Sequence, residues 1–275
     1  MSGAGASERI YSVRRPLAAF CAGAAVAVLG GLIGLGGAEF RLPLLIAVFE
    51  LYPQRAVRIN LLVSLATLAV SGVARLSLTE AASLTPFTTE ITAMLAGGIV
   101  AAWIGAGVLA RIPKGRIVAI MAVLLVAIAV LLVLETLFAG STRMALPNDW
   151  LLRLPAALGA GLIVGAVSSL LGVAGGELII PILIFIFGAE IKTAGTASVL
   201  ISIPIVLAGI ARHLLTGHFR SRSMLAHLVL PMSAGSVLGA VVGGYFAAWA
   251  PTDGLRIVLA AILALSAVKL MWKKV

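Results

Sequence analysis

The chain has 275 residues, of which 61% are hydrophobic and only 11% are charged. Soluble domains devote roughly a quarter of their residues to charge, so this composition excludes a soluble protein and predicts a polytopic membrane protein. The net charge of +10 invites a nucleic-acid partner, but no basic stripe with interleaved aromatic residues is present, and we predict no such partner. The single cysteine, Cys21, excludes an internal disulfide and a multi-cysteine metal site.

Apolar runs separated by short basic gaps divide the chain into two similar halves. A polar tail (1–16) precedes the first half (17–139), and a connector (140–153) precedes the second half (154–275). Each half holds a short run in second place, among longer runs that suit membrane-spanning helices. The basic start imitates a signal peptide, but the second half has the same apolar segment, so we expect the first run to be retained. In chain order the runs are Leu17–Ile33, Leu42–Phe49, Ile59–Leu76, Ile91–Ala110, Ile117–Phe138, Leu154–Leu171, Leu178–Phe187, Thr196–Leu215, Leu225–Trp249 and Ile257–Met271.

A glycine-rich motif stands between the first and second runs of each half, so the chain contains it twice. The first copy, Gly34–Pro43, reads GLGGAEFRLP, and the second copy, Gly172–Pro181, reads GVAGGELIIP. A shift of 138 residues superimposes the glycine cluster, the glutamate and the proline of the two copies. Such a cluster predicts a broken membrane helix, and broken helices at corresponding positions of two halves are typical of a transport site.

The basic residues predict the orientation of the segments. If every run crosses the membrane, each half has five crossings and the two halves are inverted repeats. With the N-terminus in the cytoplasm, 14 Lys and Arg residues then lie in cytoplasmic gaps and five lie on the other side, as the positive-inside rule requires. Four crossings per half would make the repeats parallel and scatter the basic gaps over both sides. We therefore predict an all-α membrane protein of two five-segment inverted repeats, with both termini cytoplasmic.

The broken helices predict a small anion site where the two motifs meet near the midplane. A helix that restarts inside the membrane presents unpaired N–H groups and the positive end of its dipole. Polar faces on the third run of each half would line the site, although their hydroxyls could instead bond to their own helices. The predicted substrate-binding residues are Gly34, Gly36, Gly37, Ala38, Arg41, Asn60, Ser64, Gly172, Gly175, Gly176, Ser198 and Ser202.

Glu39 and Glu177 are carboxylates at membrane depth, where charges are costly. They are either proton-coupling residues or structural caps that accept N–H bonds at the start of their half-helices, and the sequence leaves both roles open. Arg41 has no basic counterpart, since Ile179 occupies the equivalent position, and it either pairs with Glu39 or touches the substrate. No Lys-Ser/Thr pair follows the glycines, so no nucleotide-binding loop is predicted, and we expect no cofactor and no metal.

Two copies of this motif, each ending an apolar run and opening a short one, resemble the sulfite exporter family TauE/SafE over residues 17–272. The family's glycine triplet is replaced by GGA at 36–38 and by AGG at 174–176. The resemblance implies a secondary transporter of the bacterial inner membrane that moves a small anion such as sulfite, sulfoacetate or a related organosulfonate. Export is the expected direction, while proton coupling and homo-oligomer formation stay open.

Two other classes remain as alternatives. An anion channel or non-coupled pore would need a continuous hydrated path. A membrane-embedded enzyme or an assembly subunit is less favoured, because the apolar runs hold no constellation of His, Asp and Cys residues that would support catalysis. The expected partners are therefore a small anionic substrate and the lipid bilayer.

Overall fold

The computed structural model describes residues 16–33, 37–76, 83–109, 111–137, 146–216 and 224–246, together with a few helical residues between 261 and 268. Throughout these ranges the regular elements are helices, which confirms the predicted all-α fold. Nearly all of the predicted tail, the first six residues of the connector (140–145) and most of the last predicted run lie outside the described residues.

The helices of both halves follow the predicted order of runs. In the first half they are α1 (Pro16–Ile33), α2 (Ala38–Ala47), α3 (Pro53–Leu76), α4 (Thr88–Leu109, after a 3-10 turn at Thr85–Phe87) and α5 (Lys114–Leu137). In the second half they are α6 (Trp150–Leu171), α7 (Gly176–Pro181, continued by a π-helical stretch at Ile182–Ile186), α8 (Ile191–Leu215) and α9 (Leu230–Phe246, after a π-helical stretch at Leu225–Val229). Among the described helices, α3, α4, α6, α8 and α9 with its π-helical start are long and apolar enough to cross a membrane.

Most helices begin earlier than the predicted runs, and two of these early starts affect the motif region. α2 begins at Ala38, four residues before its predicted run, and α3 begins at Pro53, six residues before its run. The prediction placed both starts after charged residues, but glutamate and arginine are good helix formers and continue a helix readily. As a result, Glu39 and Arg41 belong to a helix and not to a loop.

Helices α1 and α9 approach each other backbone to backbone. A Cβ atom built on Gly23 of α1 would run into the carbonyl group of Met232 in α9, and one built on Gly235 of α9 would run into the carbonyl group of Phe20 in α1. Small residues allow such contacts between membrane helices. The small residues of these two helices therefore serve the close packing that the sequence predicts.

The same contact recurs between α4 and α6, with each residue 138 positions from its equivalent. A Cβ atom on Gly161 of α6 would meet Met94 of α4, and one on Gly97 of α4 would meet Leu158 of α6. The first helix of each half thus packs against the fourth helix of the other half. This reciprocal exchange is the pattern that a pseudo-two-fold relation between the halves produces.

The third helices of the two halves, α3 and α8, pack against each other in opposite directions. Leu61, near the start of α3, lies 3.6 Å from a Cβ built on Gly209, near the end of α8. Val199, near the start of α8, lies 3.3 Å from a Cβ built on Gly72, near the end of α3. Helix α2 packs against α3, and α7 packs against α8. The antiparallel pair therefore positions both motif helices.

Replacing Gly161 with alanine should lower stability, whereas the same change at Gly159 on the same helix should not. A Cβ atom at Gly161 would lie 2.7 Å from backbone atoms of Met94, while one at Gly159 meets no described atom within 4 Å. Overpacking costs roughly 1–3 kcal/mol, whereas alanine at an open helix position gains about 0.5–1 kcal/mol over glycine. Thermal unfolding in detergent measures the difference. Equal melting temperatures for the two variants would contradict the close approach of α4 and α6.

Candidate functional site

Glycines in the left-handed backbone region form the two helix breaks. α6 ends at Gly172 with φ 69°, α7 begins after Gly175 with φ 82°, and α2 begins after Gly37 with φ 69°. Other residues adopt this conformation at a cost of roughly 1–2 kcal/mol. A Cβ atom on Gly37 would also lie 2.7 Å from the carbonyl oxygen of Val26. The backbone itself requires these glycines, so a valine there would disturb folding before it tested access of a solute.

The first residues of α2 and α7, Ala38 and Gly176, are free of this constraint. They occupy equivalent positions, and a Cβ atom built on Gly176 meets only Ser198 Oγ, 4.0 Å away, among the described residues. The alanine of the first copy therefore fits the same kind of position without strain. Two further predicted glycines, Gly34 and Gly36, lie outside the described residues.

A proline follows each motif glutamate at an interval of four residues. Pro43 and Pro181 are the sixth residues of α2 and α7, inside these helices and beyond the first turn. A proline has no N–H to donate to the carbonyl group four residues earlier, which here belongs to Glu39 or Glu177. Both motif helices therefore lose one regular backbone hydrogen bond at the residue that carries the carboxylate.

Two side chains of α3 connect the motifs. Asn60 Nδ2 donates to the carbonyl oxygen of Ala38 at 2.8 Å and to that of Leu171 at 3.4 Å. Ser64 Oγ donates to the carbonyl oxygen of Gly172 at 3.5 Å. Asn60 and Ser64 are both buried. The structure thus brings the two motifs together at α3, although they are more than a hundred residues apart in the chain.

The guanidinium group of Arg41 lies at the same place, on a residue that is only 1% exposed. Its Nη2 donates to Ser64 Oγ and its Nη1 donates to Ser236 Oγ of α9, both at 3.2 Å. Ser236 Oγ in turn donates to the carbonyl oxygen of Gly23 in α1 at 3.3 Å. The Nε atom of Arg41 meets no hydrogen-bond partner among the described residues. Neutral hydroxyls therefore hold the cation and leave one of its donors unused.

The carboxyl groups of Glu39 and Glu177 face each other. These residues are 1% and 3% exposed. In the described structure, neither oxygen of Glu39 accepts a hydrogen bond, and neither does Oε2 of Glu177. The backbone N–H of Glu39 interacts with its own carboxylate, but without hydrogen-bond geometry. The described contacts therefore include no helix cap of the kind considered for Glu39.

Arg41 forms no hydrogen bond with Glu39, which was one of its two suggested roles. Residues two apart on a helix point in different directions, so the early start of α2 turns the two side chains away from each other. The guanidinium charge still interacts through space with the carboxylates of Glu39 and Glu177. The cation is thus close to both acids and directly bonded only to hydroxyls among the described residues.

The hydroxyl groups of α8 differ from those of α3. Ser198 Oγ donates to the carbonyl oxygen of Gly195 in its own helix at 2.8 Å. Ser202, the equivalent of Ser64, is buried, and its Oγ has no partner among the described residues. An isoleucine stands where the first half has its arginine. At these positions the second half therefore has a buried hydroxyl without a partner among the described residues, and no cation.

Ser236 is a functional residue that sequence reasoning missed. Its equivalent in the first half is Gly98, so the comparison of the two copies gives no sign of it. What the sequence does show is a polar residue next to Gly235, on a helix that also contains Gly239 and Gly243. Only the packing of α9 against α1 shows that this serine lies within reach of Arg41.

A second polar cluster lies away from the motifs. Arg153 Nη1 pairs with Glu90 Oε1 of α4 at 3.0 Å and donates to Asn148 Oδ1 at 2.8 Å. Arg153 Nη2 donates to the carbonyl oxygen of Phe187 at 2.8 Å. The sequence placed Arg153 in the connector, whereas it lies in the first turn of α6. This arginine links α4, α6 and Phe187, which directly follows the π-helical stretch at the end of α7.

Apolar helices that surround a buried charged cluster at two helix breaks define a multi-pass membrane protein with an internal polar site, the arrangement of a secondary transporter. The family model of the sulfite exporter TauE/SafE matches residues 18–274. The chain therefore belongs to this family of membrane transporters and is not an enzyme, and the resemblance carried by the duplicated motif is confirmed. No curated protein and no solved structure matches the chain.

Proposed function

We propose that the protein is a secondary transporter that carries a small sulfur-containing anion, such as sulfite, sulfoacetate or a related organosulfonate, across the bacterial inner membrane, in the direction of export. The observation that carries this proposal is the buried guanidinium group of Arg41 beside both motifs, with its Nε unpaired in the described structure. A charged donor forms its strongest hydrogen bonds with ionised acceptors. A transported anion is such an acceptor for the unpaired Nε–H group.

The other donors at the site suit an oxyanion. α2 and α7 begin at the motifs, and the first N–H groups of a helix have no partner within it. In α2 the first backbone N–H that donates to a backbone carbonyl group of the same segment is that of Arg41, and in α7 it is that of Leu178. The N–H groups that precede them in each helix form no such bond in the described structure. With the arginine and the Ser202 hydroxyl, they supply several donors around one small volume, as the oxygens of a sulfite or sulfonate group require. The restriction to sulfur compounds comes from the family.

We propose further that residues 17–139 and 154–275 are inverted repeats, with both termini in the cytoplasm. Support comes from α3 and α8, which are equivalent helices and run antiparallel. A two-fold axis that relates two antiparallel helices is perpendicular to them, so it lies in the membrane plane. The excess of basic residues in the cytoplasmic gaps agrees with this orientation.

Cysteine labelling in a Cys21→Ser background should place Gly115→Cys and Val275→Cys on the cytoplasmic side. Leu151→Cys, at an exposed position near the start of α6, should react from the opposite side. An impermeant maleimide, applied to sealed inside-out and right-side-out vesicles, measures the side of each position. Reaction of Gly115→Cys and Val275→Cys from opposite sides would exclude the inverted arrangement.

Counterflow in proteoliposomes tests the proposed function and its substrate class. Liposomes loaded with one anion should accumulate the same labelled anion, with saturation, for sulfite or an organosulfonate and not for a simple carboxylate of similar size. A panel of sulfite, sulfoacetate, thiosulfate, sulfate and acetate separates these cases. Flux that never saturates would instead indicate a channel or a non-coupled pore.

A further inference from the structure

The facing carboxyl groups of Glu39 and Glu177 lack the donors that two ionised carboxylates would need. Each glutamate is the second residue of its motif helix, so the pair joins equivalent positions of the two halves. Both oxygens of Glu39 and one oxygen of Glu177 are buried without a hydrogen-bond donor in the described structure. Buried polar atoms are nearly always bonded. The pair itself can supply a partner for one of these oxygens.

A shared proton supplies that partner. Two ionised carboxylates that face each other away from water repel strongly, and such pairs keep a proton on one member. The protonated carboxyl group then donates its O–H to the other carboxylate, which gives one buried oxygen the donor that the described residues do not provide. The two acids then form a single proton-binding unit.

The charges around the pair balance at one proton. A singly protonated pair carries one negative charge, and Arg41 interacts with both acids and carries one positive charge. The cluster is then neutral, as a group buried in a membrane protein should be. A monovalent anion bound at Arg41 would give the cluster one negative charge. One further proton, taken from water by the remaining carboxylate, restores neutrality.

The surrounding helices add no other charge to this balance among the described side chains. Arg41 interacts with both acids, and in the described structure it is the only cation that acts on Glu39. Asn60, Ser64 and Ser236, which are neutral, contact the first motif, and the neutral Ser198 lies beside Gly176. Among the described side chains of the packed helices, the other titratable residues lie in the first or last two turns, and they are Cys21, Arg55, Arg58, Glu90, Arg116, Arg153, Lys192, Arg212, His213, His227 and Tyr245.

We propose that Glu39 and Glu177 hold one shared proton when no anion is bound, and that they take up a second proton together with the anion. The transporter then moves one proton with each monovalent anion. Both halves of the chain contribute a glutamate to the proton site, whereas only the first half contributes the arginine that binds the anion. This coupling rests on the proposed transport function. The shared proton itself does not.

Infrared spectroscopy of the protein in lipid, without any anion, tests the shared proton. The wild-type protein at neutral pH should show one carbonyl-stretch band of a buried protonated carboxyl group. Glu39→Gln and Glu177→Gln should each remove it, because the remaining carboxylate is balanced by Arg41 and stays ionised. Glu90→Gln, which changes a buried glutamate paired with Arg153, should leave the band intact. Absence of the band in the wild type, or its survival in both single variants, overturns the proposal.

Sulfite flux against an imposed pH gradient tests the second proton. Flux of the wild-type protein should follow the pH gradient, and both glutamine variants should lose this dependence. Sulfite flux that ignores the pH gradient in the wild type would reject the coupling while leaving the transport function standing. If no anion of the panel is transported, the proposed function fails, and the infrared result still decides whether the pair shares a proton.

Discussion

Replacing Arg41 with glutamine should weaken the binding of sulfite about ten- to a hundredfold, because a hydrogen bond from a charged group contributes roughly 1.5–3 kcal/mol. The guanidinium group is the only cation at the motif cluster among the described residues. Glutamine keeps donors for the two serine hydroxyls but removes the charge. Isothermal titration with purified protein, or the KM for sulfite in proteoliposomes, measures the loss.

Two control variants separate charge from structure in this test. Arg41→Lys keeps the charge and loses the planar fork that reaches Ser64 and Ser236 together, so it should bind sulfite with intermediate affinity. Arg153→Gln removes a partly buried arginine outside the motifs, and the folded fraction should keep wild-type affinity. Wild-type affinity in Arg41→Gln would remove the arginine from the substrate site.

Arg153→Gln should have the opposite profile, with a loss of stability of about 3–5 kcal/mol and little effect on the anion site. Its guanidinium group bonds to Glu90 Oε1, Asn148 Oδ1 and the carbonyl oxygen of Phe187, and the ring of Phe187 lies 5.6 Å from it. Without the cation, Glu90 is a buried carboxylate with no counter-charge. Thermal or denaturant unfolding in detergent measures the effect.

A double-mutant cycle isolates the Arg153 pair. Glu90→Gln combined with Arg153→Gln should destabilise the protein by less than the sum of the two single changes, because neither partner is then left as an unpaired charge. Glu90→Gln alone should be the milder single change, since the amide oxygen still accepts a bond from the arginine. Additive losses would show that the two side chains act independently.

The duplicated motif made much of the fold and the candidate site predictable. A glycine cluster, a glutamate and a proline at an interval of 138 residues correctly indicated where helices α1 and α6 end and where short helices follow. The polar positions of α3 were also readable, and Asn60 and Ser64 do reach the two motifs. Local sequence carries this information because breaks and periodic faces are properties of a single segment.

The remaining features depend on contacts between segments that are distant in the chain. Hydropathy treated Glu39 and Arg41 as part of a loop, and their opposite directions appear only once α2 is known to begin at Ala38. Ser236 lies within reach of Arg41 because α9 packs on α1, which no single segment reveals. The sequence predicted the glycines of the breaks as substrate-binding residues, and only the structure shows that Gly37, Gly172 and Gly175 also have the positive φ values that the breaks require.

Several packing contacts recur in the two halves, but the charges of the site do not. Equivalent contacts recur across the halves, and the glutamates occur in both motifs. The arginine and the hydroxyl of Ser236 have isoleucine and glycine as their counterparts. A symmetric scaffold can exchange between two equivalent orientations, while a single cation gives the substrate one place to bind. We therefore expect one anion per chain, bound nearer to the first motif.

The most direct test of the central claim is to locate the bound anion. Selenite, the heavier congener of sulfite, has the same shape and charge, and its selenium atom can be placed by anomalous scattering from crystals of the protein. We expect one selenium position between the two motifs, within hydrogen-bond reach of the Arg41 guanidinium group. A selenium position elsewhere, for example beside Arg212 at the end of α8, with none at Arg41, would contradict it.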